Sequence, residues 1–403
     1  MDGSLSPVGE ILALLKRAAR VLVARASSSL FIFAMTAIAP ESFLTLQEIV
    51  AAARRNLAPG PWAYLAGATE SETTMRRNRQ SLDALAFRPR VLNDVSRVDS
   101  RATFMGQPVR LPVMLAPVGG MESFVEGGAA AAAEVAAAFG IPQMLSSVCQ
   151  PGLEATAAAA ETLRVFQLYV RGDDGWVDDW VKRARDNGFS AFCLTVDSAF
   201  YSRRERDIAG RFFKPWRPAD NEGMRYQAAL SWRTVKRLKE TCNMPLILKG
   251  IATAEDAEIA VEHGVEVIYV SNHGGRQLDH GLGSTAVLPE ILAAVKGRAE
   301  VWVDGGYLRG ADVVKAMALG AKCVGLGRFA CLGLAAAGPA GLVRALELLE
   351  EEVRICLGLL GVNSFAELTP RHLASAPPVY EPSVLSAFPL LDMYENGAPA
   401  VNR

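Results

Sequence analysis

His273 and Arg276 stand three residues apart in the segment Val270-Ser271-Asn272-His273-Gly274-Gly275-Arg276-Gln277-Leu278-Asp279. An imidazole exchanges a proton near neutral pH, and a guanidinium fork grips a carboxylate through two parallel hydrogen bonds. Side by side they predict chemistry on a carbon next to a carboxylate. The chain holds only 4 histidines, so one placed just past the strand-like run Val265 to Val270 carries weight.

Such side chains need a rigid scaffold. From about residue 110 onward one unit repeats: a short apolar run, a loop with glycine or polar residues, then a helical stretch. The runs are Val113–Pro117, Gln143–Ser147, Val165–Tyr169, Ala191–Asp197, Pro245–Lys249, Val265–Ser271, Val301–Asp304 and Cys323–Gly327. Continuous apolar runs alternating with helices predict a parallel sheet buried on both faces. Eight such units, ending near Glu350, match the size of a closed barrel. The fold class is therefore α/β, a (β/α)8 TIM barrel. Its helices include Gly127 to Phe139, Gly310 to Leu319, and Ala254 to His263 with Thr253 as N-cap. Ahead of the barrel, Thr45 to Leu65 reads as an N-terminal helical segment. Phe87 to Leu111 reads as two short strands around a turn, a β-hairpin plug under the barrel.

The polar residues gather at the C-terminal ends of the runs, the face where such barrels keep their active sites. The first run ends in Ala116-Pro117-Val118-Gly119-Gly120 and the second in Ser146-Ser147. The third carries Gln167 and Tyr169, and the fourth ends in Thr195-Val196-Asp197. The fifth ends in Lys249-Gly250, the sixth in Ser271-Asn272-His273, the seventh in Asp304-Gly305-Gly306 and the eighth in Gly327-Arg328. Any one of these could simply satisfy a strand end. All eight at one mouth favour function. The loops after the last two strands often bind phosphate through backbone N–H groups. Gly305, Gly306 and Gly327, with Arg309 and Arg328, therefore predict a phosphate-bearing cofactor.

Composition narrows the class. The chain has 403 residues, 50% hydrophobic and 21% charged, with a net charge of −1. That balance argues against a nucleic-acid partner, which would want a basic face. The six cysteines, Cys149, Cys193, Cys242, Cys323, Cys331 and Cys356, form no CxxC pair and read as reduced, buried thiols, with no metal constellation. Residues 1–43 read as an extension. Ile11 to Arg25 suggests a basic amphipathic helix, and Leu30 to Ala39 an apolar run ending in Ala37-Ile38-Ala39. The pattern is similar to a secretory signal, but the run is too short to span a bilayer. The preferred reading is a dispensable extension ahead of Met35 on a cytoplasmic protein. Residues 44–375 form the catalytic domain and 376–403 a proline-rich tail that wraps the surface or a neighbouring subunit. Between the fourth and fifth runs, Arg211 to Trp232 reads as an active-site loop without a membrane-docking apolar segment.

Several motifs together resemble the FMN-dependent 2-hydroxy-acid oxidases and dehydrogenases, the group containing glycolate oxidase, lactate oxidase, mandelate dehydrogenase and the flavin domain of flavocytochrome b2. They are Phe87-Arg88-Pro89-Arg90, Phe166-Gln167-Leu168-Tyr169, Leu194-Thr195-Val196-Asp197, Arg203-Arg204-Glu205-Arg206-Asp207, Leu248-Lys249-Gly250, the His273–Arg276 segment and Asp304-Gly305-Gly306. The resemblance covers Leu44 to Leu373. It implies FMN as cofactor and oxidation of an L-2-hydroxy acid to a 2-oxo acid, in a lactate- or glycolate-oxidase-like manner. It implies His273 as general base, Asp197 as its partner, and Arg276 with Tyr64 as donors to the substrate carboxylate. Arg204 would support binding, and Tyr169 would hydrogen-bond the hydroxyl or carbonyl oxygen. Lys249 would lie against the N1–O2 edge of the flavin. FMN would also touch Pro117, Val118, Ser146, Gln167, Thr195 and Ser271, with its phosphate near Asp304, Gly305, Gly306, Gly327, Arg328 and Arg309. Electrons would pass to oxygen, a quinone or a cytochrome, and the chain would form a homotetramer or larger homo-oligomer.

The sequence also departs from that pattern. Tyr64-Leu65-Ala66-Gly67-Ala68-Thr69-Glu70 stands where the family has Tyr-x-x-x-Gly-Ala-Glu, and no His-Pro precedes Glu126-Gly127. Leu308-Arg309 replaces a pair of arginines, which predicts weaker FMN binding. Val148 stands where glycolate oxidase has tryptophan, opening the side-chain pocket near Phe200 and Tyr201. Gly119 stands where several relatives have alanine, close to the flavin. Two alternatives are another FMN barrel enzyme, such as an isomerase or nucleotide dehydrogenase, and a flavin-binding protein without hydroxy-acid turnover.

Overall fold

The computed structural model describes residues 39–212 and 223–395. The two segments read as a possible targeting sequence, Ile11 to Arg25 and Leu30 to Ala39, lie outside the described residues apart from Ala39. So do residues 213–222 of the proposed active-site loop, Arg211 to Trp232. A compact unit begins at Phe43; of the residues before it, Ala39 and the turn Pro40–Ser42 are described.

All eight apolar runs are strands: β1 (Val113–Leu115), β2 (Gln143–Ser146), β3 (Arg164–Leu168), β4 (Ala191–Thr195), β5 (Leu246–Ile251), β6 (Val267–Val270), β7 (Glu300–Val303) and β8 (Cys323–Leu326). Each pairs in parallel with its sequence neighbours, and β8 pairs with β1 to close the barrel. Side chains alternate across a strand, so one set points in and the other out. The inward set is Met114, Met144, Val165, Cys193, Ile247, Tyr269, Trp302 and Cys323. The outward set, including Leu115, Phe166, Leu194, Leu248, Ile268, Val303 and Leu326, packs under the helices. Both faces are apolar, which is why the runs read as continuous.

The hairpin Ala102–Phe104 and Gln107–Val109 leads into the start of β1 and packs Phe104 and Val109 against the inward set. The Phe104 and Trp302 rings lie 4.6 Å apart, centroid to centroid. The plug is therefore as expected, but shorter than Phe87 to Leu111. Leu85–Phe87 instead pairs with Leu373–Ser375. Replacing Phe104 by alanine removes a fully buried ring, and we expect a loss of about 3–5 kcal/mol. A lowered denaturant midpoint in the variant checks it.

The N-terminal helical segment is two helices, not one. Thr45 and Glu48 form a reciprocal capping box that starts Leu46–Asn56. Pro59 then forces Ala58 into an extended conformation and opens a new helix, Pro59–Ala66. That break aims Tyr64 and Leu65 at the barrel mouth. Thr253 caps Ala254–Glu262 by accepting from the Asp256 N–H. Arg328–Leu360 is apolar enough by composition to cross a bilayer, but it bends at Ala337-Gly338-Pro339 and is mostly buried against Leu46–Asn56, Gly128–Phe139 and Gly310–Leu319. It is a core helix. The described part of the tail packs on this unit's own surface: Gln47 Oε1 accepts from the Leu390 N–H at 2.6 Å, and Phe388 is buried.

Candidate active site

The ends of the strands bring His273, Asp197 and Tyr169 together. His273 lies beyond β6 with φ of +60°, a left-handed conformation that histidine tolerates better than most residues. Its backbone N–H donates to Ser271 Oγ at 3.1 Å. On the ring, Nδ1 lies 3.1 and 3.2 Å from the two Asp197 oxygens, and Nε2 lies 2.8 Å from the Tyr169 hydroxyl. A carboxylate can only accept, so Nδ1 carries the proton and Nε2 presents its lone pair to Tyr169 O–H. Burial and the charge of Lys249 hold His273 below its ordinary pKa, against the opposing pull of Asp197. It is therefore neutral at neutral pH. Burial pushes the Asp197 carboxyl up, but His273 and Lys249 outweigh that and leave it below the usual range. Burial raises Tyr169, with the Asp197 charge adding, so it stays a donor. This geometry leaves the Nε2 lone pair free to accept a proton once the Tyr169 hydroxyl turns aside.

Arg276 and Tyr64 face each other across the same mouth. One Arg276 terminal nitrogen donates to the carbonyls of Tyr64 and Leu65, the latter at 2.9 Å. Its guanidinium carbon lies 4.8 Å from the Tyr64 ring centroid. Burial lowers the Arg276 pKa, and burial pushes Tyr64 up to about 12. The Tyr64 hydroxyl donates to the Gly119 carbonyl at 2.8 Å, so in this conformation its proton is already engaged. Arg204 lines the cavity beside them, over the Tyr201 ring at 5.1 Å. Val118, Phe124, Val148, Tyr201 and Met224 give the cavity its apolar wall, with Phe200 at the exposed rim.

The floor is a buried polar network. Lys249 Nζ donates to Ser271 Oγ at 3.0 Å, and that hydroxyl donates to Asp304 Oδ1 at 2.6 Å. Gln167 Nε2 donates to Thr195 Oγ1 at 2.9 Å, while Gln167 Oε1 is buried without a partner. Of the residues expected at the flavin, Pro117, Val118, Lys249, Asp304, Gly305, Gly306, Gly327 and Arg328 line the cavity. Ser146, Gln167, Thr195 and Ser271 are buried at the C-terminal ends of their strands and are not exposed to it.

The proposed phosphate end differs from expectation at one residue. Arg309 turns away, pairing with Glu352 at 2.6 Å and donating to the Ala387 carbonyl at 3.0 Å. Leu308 lines the cavity in its place. Arg328 is held by three carbonyls, those of Leu65, Gly67 and Gly274, at 2.8–3.0 Å. Burial and the neighbouring Arg276 charge bring it down to about 9. Gly305 and Gly306 have φ of +106° and +88°, and a Cβ on Gly305 would sit 2.5 Å from Ser284 Oγ. Only glycine serves there.

Sequence reasoning missed Asn78 and Arg79, on the helix Thr73–Asp83, which reach the same end. Arg79 donates to the Gly306 carbonyl and to Asp312, both at 2.7 Å, and Asn78 donates to Asn272 at 2.9 Å. The run Arg76-Arg77-Asn78-Arg79 looks uniformly solvated, and only its helical phase distinguishes Arg79, 3% exposed, from its neighbours.

Among the described residues, Arg79, Arg171, Arg204, Lys249, Arg276 and Arg328 line the cavity, against one carboxylate, Asp304. With the orphaned Gln167 amide oxygen and the glycine-ended strands, the strand-end cations Lys249 and Arg328 suit an anionic, polar, planar group. Such a barrel belongs among the cofactor-using α/β-barrel enzymes. Comparison with known proteins narrows this. The chain belongs to the FMN-dependent dehydrogenase family, whose model matches residues 53–375, and FMN is the family's cofactor. It is 38% identical to glycolate oxidase 1 of Zea mays over 85% of this chain and 98% of that protein. It is also 38% identical to a peroxisomal (S)-2-hydroxy-acid oxidase of Oryza sativa, over 82% of this chain and 95% of that one. Mandelate oxidase with benzoyl-formic acid superposes with a TM-score of 0.78 at 38% identity, covering 84% of this chain and all of that one.

Proposed function

We propose that this chain oxidises an L-2-hydroxy acid to the 2-oxo acid, with His273 as the base. The observation that carries the reading is the hydrogen-bonded chain Tyr169–His273–Asp197 beside Arg276. FMN, when bound, supplies the two-electron acceptor. Arg276 grips the substrate carboxylate, with Arg204 adding charge and Tyr64 a second donor once its hydroxyl rotates off the Gly119 carbonyl. That pins C2 and its hydroxyl near Tyr169 and His273. His273 takes a proton at Nε2, and Asp197 stabilises the imidazolium that forms. The overall reaction removes two electrons and two protons from the substrate. Lys249, Asp304 and the strand-end glycines would hold the cofactor, with the Lys249 charge favouring an anionic reduced form. Oxygen is our choice of acceptor, supported by relatives that carry the name oxidase. The test is aerobic turnover of L-2-hydroxy acids with equal yields of 2-oxo acid and hydrogen peroxide. Absence of product with every acid tried sinks the proposal.

Two consequences follow from particular residues. Asp197 raises the His273 pKa while burial and Lys249 lower it. The kcat/KM profile should therefore lose activity on the acid side only below His273's ordinary pKa, about 6.5. Asp197→Asn removes the raising charge, so the acid limb moves to still lower pH while the plateau falls. An acid limb moving upward would contradict this. At the phosphate end, Leu308 brings no charge and Arg309 is committed to Glu352. We expect FMN to bind less tightly than in relatives with arginine at that position. Fluorescence titration of apoprotein checks it, and a dissociation constant equal to theirs refutes it.

A further inference from the structure

The charge around the cavity is not fully matched. Of its cationic side chains, Arg79 is paired with Asp83 and Asp312, and Lys249 lies 3.8 Å from Asp304. Arg276 and Arg204 belong to the carboxylate end, and Arg328 to the phosphate end. Arg171, in the loop after β3, is left over. It lines the same cavity, yet its one hydrogen bond goes to the neighbouring Val170 carbonyl, at 3.0 Å, and it has no acidic partner among the described residues. Its guanidinium carbon lies 5.8 Å from the centroid of the Tyr169 ring, whose hydroxyl is bonded to His273.

The side chain is also held in place. Its stem crosses Gly223, where an added Cβ would lie 2.9 Å from Arg171 Cδ. Any larger residue at 223 would push the stem aside. Met224, next along, lines the cavity with it. A partly buried cation without a counter-ion is costly to keep, and a ligand that brings the anion offsets that cost.

We propose that Arg171 reads a second carboxylate, so that the substrate is a 2-hydroxydicarboxylic acid whose side chain ends in that group. The inference rests on the hydroxy-acid reading of His273 and Arg276. It is tested on the holoenzyme with (S)-2-hydroxypentanedioate and (S)-2-hydroxypentanoate, which share a five-carbon chain and differ in the terminal carboxylate. Wild type should favour the diacid in kcat/KM by about 10- to 100-fold, the worth of one charge-assisted hydrogen bond. Arg171→Met should erase the preference and leave the monoacid unchanged, with Arg171→Lys between them. Dissociation constants for 2-oxopentanedioate and 2-oxopentanoate, read from the flavin's visible spectrum, should show the same pattern without turnover. A wild type that favours the monoacid, or a ratio unmoved by Arg171→Met, overturns the proposal. If no 2-hydroxy acid reduces the flavin, the hydroxy-acid reading fails instead, and the 2-oxo-acid titrations still decide the role of Arg171.

Discussion

His273→Asn should lower kcat/KM for the best L-2-hydroxy acid by about 10³- to 10⁴-fold, the upper part of the range for a positioned general base. Asparagine is the informative replacement because it accepts the left-handed backbone found at φ of +60°. The loop should keep its shape, and Gly274 should still accept from Arg328. Binding of the 2-oxo product, which depends on Arg276, should persist. The expected signature is a lost rate with retained affinity and retained flavin. Turnover within tenfold of wild type would mean that another group takes the proton. The tyrosine is no candidate, since burial and the Asp197 charge keep its proton on.

Arg276→Met should cost about 10³-fold in kcat/KM. Two charge-assisted hydrogen bonds to a carboxylate, at about 1.5–3 kcal/mol each, give that order. Arg276 also tethers the carbonyls of Tyr64 and Leu65, so part of any loss could come from a loosened helix end. Substrate chemistry separates the two. The wild type should discriminate strongly between a 2-hydroxy acid and its neutral amide, and the variant should not. If acid and amide lose activity in the same proportion, Arg276 only supports the structure. Arg276→Lys keeps the charge but not the planar fork, so it should recover part of the discrimination and little of the rate.

Much of this was legible in the residues because the barrel makes local demands. A strand buried on both faces must be apolar at every position: Val113 begins such a run in the sequence as in the structure, and the runs from Pro245 and Val265 become strands starting at Leu246 and Val267. Chemistry at the strand ends was equally legible, since His273, Asp197 and Tyr169 have polar groups where an apolar run stops. What was hidden depends on contacts distant in sequence. The break before Pro59 follows from proline's own geometry, which competes with the apolar pattern of Thr45 to Leu65. Arg309 looked like a phosphate ligand from its neighbours Gly305 and Gly306, but Glu352, on another helix, takes it. Arg79 could be told from Arg76 and Arg77 only by which face of Thr73–Asp83 meets the barrel. Ser271 and Thr195 stand at strand ends yet are buried, because distant side chains engage them: Lys249 and Asp304 at Ser271, Gln167 and Gln227 at Thr195.

The most direct test of the central claim is anaerobic mixing of the FMN-bound protein with L-2-hydroxy acids while the flavin's visible absorbance is followed. Bleaching by an L-acid, absent with its D-enantiomer and reversed on admitting oxygen, is the predicted result. A flavin that stays oxidised with every L-2-hydroxy acid, mono- and dicarboxylic alike, would contradict the account.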